Sequence, residues 1–220
     1  MSNSLIIAIF GVLLSGCVAC NIPSYSSDKR NLETIGKRST KFNLVASKPS
    51  FDDTGKSLCR MVGDVAIPQE KTFTNYLIDG LREELKAQGV LDEKSDNSIE
   101  VKFSRVSFSS TLGSTLWLIE ADYTFNSIKH TVSTVYNMDS NFVGNVACQN
   151  IAANFPNAAA KHFLEFYKSK VFSVAAGEVV TPATAVDLDV KLGKLKKALQ
   201  DGLITEEEFK AKRSQIIREY

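Results

Sequence analysis

Histidine occurs twice in this sequence, tryptophan once, proline five times, and no uninterrupted apolar stretch exceeds ten residues. Each shortage excludes something. His130 and His162 stand in no metal-ligand spacing, and two histidines alone cannot build a zinc site. No G-x-S-x-G nucleophile elbow and no glycine-rich phosphate loop occurs; Gly113-Ser114-Thr115-Leu116-Trp117 reads as a strand entry. Lys and Arg (26) nearly balance Asp and Glu (25), leaving a net charge of +1 without the basic footprint of a nucleic-acid binder. Adjacent acids such as Glu83-Glu84 point to different helix faces and are poorly placed to share a proton. Asp52-Asp53 lies in a polar context. An enzymatic role is therefore not expected, and neither is a cofactor.

The longest apolar run, Leu5 to Leu14, would rise about 15 Å as a helix, half of the roughly 30 Å bilayer core. That length argues against a membrane-spanning anchor and suits the core of a signal peptide, which small residues follow. Here they are Ser15 and Gly16, then Cys17. Leu14-Ser15-Gly16-Cys17 resembles the bacterial lipobox. The resemblance implies acylation of the Cys17 thiol with diacylglycerol, a cut before it, and palmitate-type acylation of the new amine. Two or more acyl chains anchor stably where one binds only marginally. An ordinary secretory cut is the alternative. The Cys17-x-x-Cys20 pair abuts the cleavage signal rather than a thioredoxin-like unit, which argues against a redox motif. By the lipoprotein rule that Asp after the acylated cysteine retains a protein in the inner membrane, Val18 implies the outer membrane, facing the periplasm. Partners are then the membrane, through the lipid, and a second copy or another envelope protein; nucleic acid is not expected.

Outside the cytoplasm disulfides persist. Cys59 and Cys148 are expected to bridge, closing a loop of about 90 residues worth up to roughly 4–5 kcal/mol. Two separate buried thiols are the alternative.

The expected organisation is a signal peptide at 1–16, a flexible tether at 17–50, an α+β domain at 51–172, a linker at 173–187 and a helical hairpin at 188–220. The tether is polar and unperiodic, and a coil of that length would reach roughly 30 Å. Within the domain, Leu58 to Ile67 reads as one buried strand ended by Pro68. Phe73, Tyr76, Leu77, Leu81 and Leu85 fall at helical spacing, with Gly89 as the stop. Ile99, Val101 and Phe103 alternate with polar residues, and the phase slips before Val106, predicting a bulge. Trp117, Ile119, Ala121, Tyr123 and Phe125 share one face, and Trp117 reads as a core residue. A turn at Asn126-Ser127 leads to a strand over Lys129 to Met138. A last helix starts near Asn154 or Asn157, with Pro156 in its first turn and Ala159, Phe163, Phe166 and Tyr167 as its buried stripe. The order β-α-β-β-β-α gives an α+β fold, a mostly antiparallel sheet with two helices on one face. The order and the paired cysteines are similar to small domains of Gram-negative periplasmic lipoproteins.

At the C-terminus, Leu188, Leu192, Leu195 and Leu199 form an apolar stripe. Gly202 suits a left-handed helix end, with Leu203 packing back toward Ala198. Thr205 and Glu208 fit a capping box, Ile204 and Phe209 a hydrophobic staple, and Phe209, Ile216 and Ile217 a second stripe. Leu195, Leu199, Asp201 to Thr205, Glu208-Phe209 and Lys212 resemble the bacterial SHOCT (short C-terminal) domain, which implies oligomerisation or protein contact. Leu195, Leu199, Leu203, Ile204, Phe209 and Ile216 are the contact residues expected. A chain of about 30 residues buries too little surface to stand alone, so its stripe needs something to cover it. The leading reading is a lipid-anchored envelope interaction module. A periplasmic small-molecule or lipid-binding protein is the alternative, and a thiol hydrolase using Cys59 or Cys148 with His130 or His162 is the third.

Overall fold

The computed structural model describes residues 19–111, 114–177 and 183–219. Cys17 and the apolar run before it lie outside the described residues. The chain forms two compact units, Met1–Ala176 and Gly177–Tyr220.

The first unit contains, in chain order, β1 (Cys20–Asn21), α1 (Lys29–Ile35), β2 (Asn43–Ala46), β3 (Lys56–Cys59), β4 (Gly63–Ala66), α2 (Phe73–Ala87), β5 (Ser98–Thr111), β6 (Ser114–Phe125), β7 (Ile128–Met138), α3 (Gly144–Tyr167) and α4 (Lys170–Ala175). It is α+β, with two mostly antiparallel sheets. The larger has the order β2-β5-β6-β7 and the smaller β1-β4-β3. Its centre is the β5-β6-β7 meander. The register shifts between Phe103 and Arg105, where the phase of the apolar pattern predicted a bulge. Asn126 and Ser127 both take positive φ (47° and 66°), the tight two-residue turn that joins strands of natural twist. Trp117, Ile119, Ala121, Tyr123 and Phe125 are buried on the inner face of β6, against α3.

The α2 helix follows its predicted period, with Phe73, Tyr76, Leu77, Leu81 and Leu85 inward. Its start is doubly capped. Thr72 accepts from the Asn75 amide, while Asp53 accepts from the amides of Phe73 (2.9 Å) and Thr74 (2.7 Å). Gly89 takes φ +69° beyond its end.

Three expectations need correction. First, the segment expected as a flexible tether is folded from residue 19 onward. β1 pairs in parallel with β4, β2 pairs in parallel with β5, and Ile22, Ile35, Phe42 and Leu44 are core residues. Asp28 caps α1 by accepting from the Arg30 amide at 2.8 Å, and Gly36 ends it at φ +63°. Second, Leu58 to Ile67 is a hairpin rather than one strand. Arg60 and Met61 turn the chain at φ 47° and 56°, and Cys59 pairs with Gly63. Third, the last large helix starts at Gly144 and carries Pro156 in its interior. Proline there removes a backbone bond and costs about 3 kcal/mol. Burial of Ala147, Cys148, Ile151, Ala152 and Phe155 ahead of it offsets that cost, and Ile151 also accepts from Trp117 Nε1 at 2.9 Å. The expected stripe of Ala159, Phe163, Phe166 and Tyr167 is buried.

Cys59 and Cys148 are bridged, joining the β3-β4 turn to the first turns of α3. The second unit consists of α5 (Ala183–Gln200) and α6 (Glu206–Glu219), a helical hairpin. Its first helix begins five residues before the expected boundary at 188.

The bridge spans 89 residues of sequence, and closing a loop of that size constrains the unfolded chain by about 4–5 kcal/mol. The paired change C59S/C148S is expected to lower the urea unfolding free energy by about 2–5 kcal/mol. Intact mass after alkylation without reductant should show both thiols protected; alkylation of both would exclude the bridge.

Candidate functional site

A buried carboxylate organises the first unit. Glu84 on α2 is fully buried beside its exposed neighbour Glu83. It accepts from Tyr25 Oη (2.5 Å), the Asp28 amide (2.9 Å), Asn31 Nδ2 (3.0 and 3.1 Å to its two oxygens) and Tyr167 Oη (2.8 Å). Asn31 Nδ2 also donates to the Ala160 carbonyl at 2.9 Å. Burial, then the neighbouring Glu84 carboxylate, push both tyrosines well above the usual phenol range, so both remain donors. The Tyr25 ring lies over Gly80, where a Cβ would come within 2.8 Å of it. No other residue fits at position 80 without moving that ring. A cleft of about 210 Å³ opens beside Tyr25, lined also by Tyr76, Lys71, Asp79 and Glu83. That is smaller than the roughly 300–1,000 Å³ of ordinary ligand pockets, and its rim is charged.

A second buried network surrounds His162 on α3. Tyr123 Oη lies 3.0 Å from Nε2 and Thr134 Oγ1 lies 3.1 Å from Nδ1, while Thr134 donates to Glu165. With its proton committed to Glu165, Thr134 accepts from Nδ1–H. Nε2 then accepts from Tyr123. The ring is thus neutral with its proton on Nδ1. Desolvation pushes the imidazole down to about 3. His130, by contrast, is exposed on β7. The two histidines do not form a site with the cysteines, since Cys59 and Cys148 are bonded to each other and neither thiol is free to act as a nucleophile. Cys20 is buried and unbridged, and burial pushes its thiol up. No cluster of metal-ligating side chains occurs among the described residues. Likewise, no described helix is long and apolar enough to cross a membrane.

The hairpin has the local geometry its sequence calls for. The amides of Gly202 (φ +69°) and Leu203 close the end of α5 on the carbonyls of Leu199 and Ala198. Thr205 and Glu208 form the capping box in both directions: the Glu208 amide donates to Thr205 Oγ1 at 3.2 Å, and the Thr205 amide donates to Glu208 at 2.9 Å. These bonds lower the Glu208 carboxyl below its ordinary range. The Leu203 side chain, expected to pack back on α5, is instead 75 % exposed. Leu195, Leu199, Ile204, Phe209 and Ile216 are each only half-buried. Among the described side chains from 191 onward, none is fully buried.

Residues 191–217 match the SHOCT family, the short C-terminal domain. The match marks the hairpin as a short C-terminal module. No curated protein matches the chain. A crystal structure of an uncharacterized protein is similar over 67% of this chain and 97% of its own, at 8% identity and a TM-score of 0.38. A likeness at that level fixes neither activity nor partner.

Sequence reasoning missed Glu84 as a hub, along with its donors Tyr25 and Asn31. The available signal was a charged residue on the apolar face of α2, between Leu81 and Leu85. Replacing Glu84 with Gln turns an NH₂ group toward buried donors, so E84Q is expected to cost about 2–3 kcal/mol in urea unfolding, and more than Y25F. For His162 the folded pKa lies below the unfolded one. The folded state therefore binds fewer protons once pH falls below about 6.5. Stability should drop by up to about 1.4 kcal/mol per pH unit between pH 6.5 and 4, and H162Q should flatten that slope.

Proposed function

We propose that this chain is a lipid-anchored bacterial envelope protein that works by non-catalytic contact. Its N-terminus is attached through acylated Cys17, and its C-terminal hairpin pairs with a second copy or another envelope protein. The observation that carries this reading is the hairpin itself. Its helices are capped at the turn by specific bonds, yet every described apolar side chain on it remains partly or largely exposed. The 14-residue α6 is marginal without packing, and a surface that covers the stripe adds what the hairpin's own packing does not supply. The SHOCT match supports protein contact. The lipobox resemblance at Leu14 to Cys17 and a disulfide suited to an oxidising compartment support the envelope, on the periplasmic side of the outer membrane.

Light scattering of the full chain in detergent tests the contact. The unsubstituted protein is expected to associate, with a mass above one copy that rises with concentration. L195S/L199S/F209S is expected to run as a monomer with the first unit's disulfide intact. A monomer at every concentration, unchanged by those substitutions, would exclude self-association and leave contact with another envelope protein, to be sought by crosslinking in the cell.

A further inference from the structure

Outside the hairpin nine large apolar side chains lack cover; Val45, Ile128 and Val135 lie on β2 and β7, and the other six gather around the β3-β4 turn and the start of α3. Met61 is 89 % and Phe142 87 % exposed, with Val143 at 59 % and Val62 and Val146 also open; Leu58 flanks them on β3. The first five converge on one end of the unit. Met61 and Val62 belong to the β3-β4 turn, Phe142 and Val143 immediately precede α3, and Val146 is in its first turn. Val62 packs on Gly144, whose Cβ would come within 2.9 Å of it. Arg60 braces the turn by donating to the carbonyls of Ser110 and Asn141, and the Cys59–Cys148 bridge ties the two segments together just behind. The apolar end is thus held rigidly rather than left loose. Clustered exposure of this kind marks a contact surface.

What meets it follows from where the described chain begins. β1 is parallel to β4 with Cys20 opposite Val65, so stepping back from Cys20 runs in the direction of Asp64, Gly63 and Val62. Ala19 and Cys20 border the same cleft as Gln149, Ala152 and Ala153 of α3, one to two turns past Val146. Cys17 is three residues upstream, and three residues span at most about 10 Å. The folded segment 20–46 leaves no tether between them. Chain length alone therefore keeps an acyl group on Cys17 within about 10 Å of Cys20, whose strand points back toward the β3-β4 turn.

We infer that this end of the domain, Met61, Val62, Phe142, Val143 and Val146, rests in the bilayer surface beside the acylated cysteine. The inference depends on the reading of Cys17 as lipid-modified. The lipid holds the chain at the membrane, and the apolar tip sets the domain's orientation there, with the Asn126-Ser127 end of the large sheet turned away.

The test places a tryptophan at the tip, F142W, in the acylated full chain reconstituted into phosphatidylethanolamine–phosphatidylglycerol vesicles with or without brominated acyl chains. A matching I128W reports from the far end of β7, and the buried Trp117 signal of the unsubstituted protein is subtracted. Side chains seated about 5–10 Å into the interface should lose emission roughly twofold in brominated vesicles for F142W, with I128W unchanged. The mass of the N-terminal peptide reports acylation separately. Acylated protein whose residue 142 is not quenched overturns the inference while leaving the anchor intact; a second copy or another protein then covers the tip. Equal quenching at 142 and 128 overturns the fixed orientation. A chain without acyl groups removes the anchor and the inference together.

Discussion

A single carboxylate determines how the first unit can be assembled. Glu84 has no water to turn to and accepts from Tyr25, the Asp28 amide, Asn31 and Tyr167, which belong to the N-terminal segment and to α3. A buried acid is tolerated only when its oxygens are fully supplied. Any arrangement in which the N-terminal segment sits elsewhere deprives Glu84 of three of its donors. Apolar packing of Ile22, Ile35 and Phe42 favours burial of this segment without dictating its register. The polar hub restricts it to one, much as isolated buried polar groups select a register in other folds. The fused edges of both sheets, β1 on β4 and β2 on β5, depend on that choice.

What could be read in advance divides along lines of range. The β5-β6-β7 meander joins neighbours in sequence. Its alternation, its phase slip near Phe103 and its Asn126-Ser127 turn are local signals, and all three appear in the structure. The hairpin is similar: Gly202, Thr205 and Glu208 act within four residues of themselves. The segment before residue 50 carries little local signal because its order comes from afar. Cys20 pairs with Val65 and Leu44 with Ile99, while Asn31 reaches Ala160. Local composition there is polar, and only Asp28 and Gly36, a cap and a stop, hint at α1. The β3-β4 turn escaped notice because Arg60 and Met61 adopt positive φ without a glycine. The start of α3 escaped because Pro156 looks like a beginning, and tertiary burial overrides it.

The chemistry of the interior contrasts with that of the surface. Both ring nitrogens of His162 are engaged, Nε2 by Tyr123 and Nδ1 by Thr134, and the ring is neutral and enclosed. Such a network specifies packing. The groups that face outward without cover are apolar instead: the tip around Phe142, and Leu203 with its neighbours on the hairpin.

The parallel pairing of β1 carries a consequence for biogenesis. A strand of two residues has no stability of its own, and its partner β4 is made more than 40 residues later. Helix α3, against which β1 also packs, is later still. During synthesis from the N-terminus, residues 19–46 therefore emerge well before the strands they pair with. The seating of β1 and β2 is completed only once most of the unit exists, so this early segment of the described chain is among the last to join the fold.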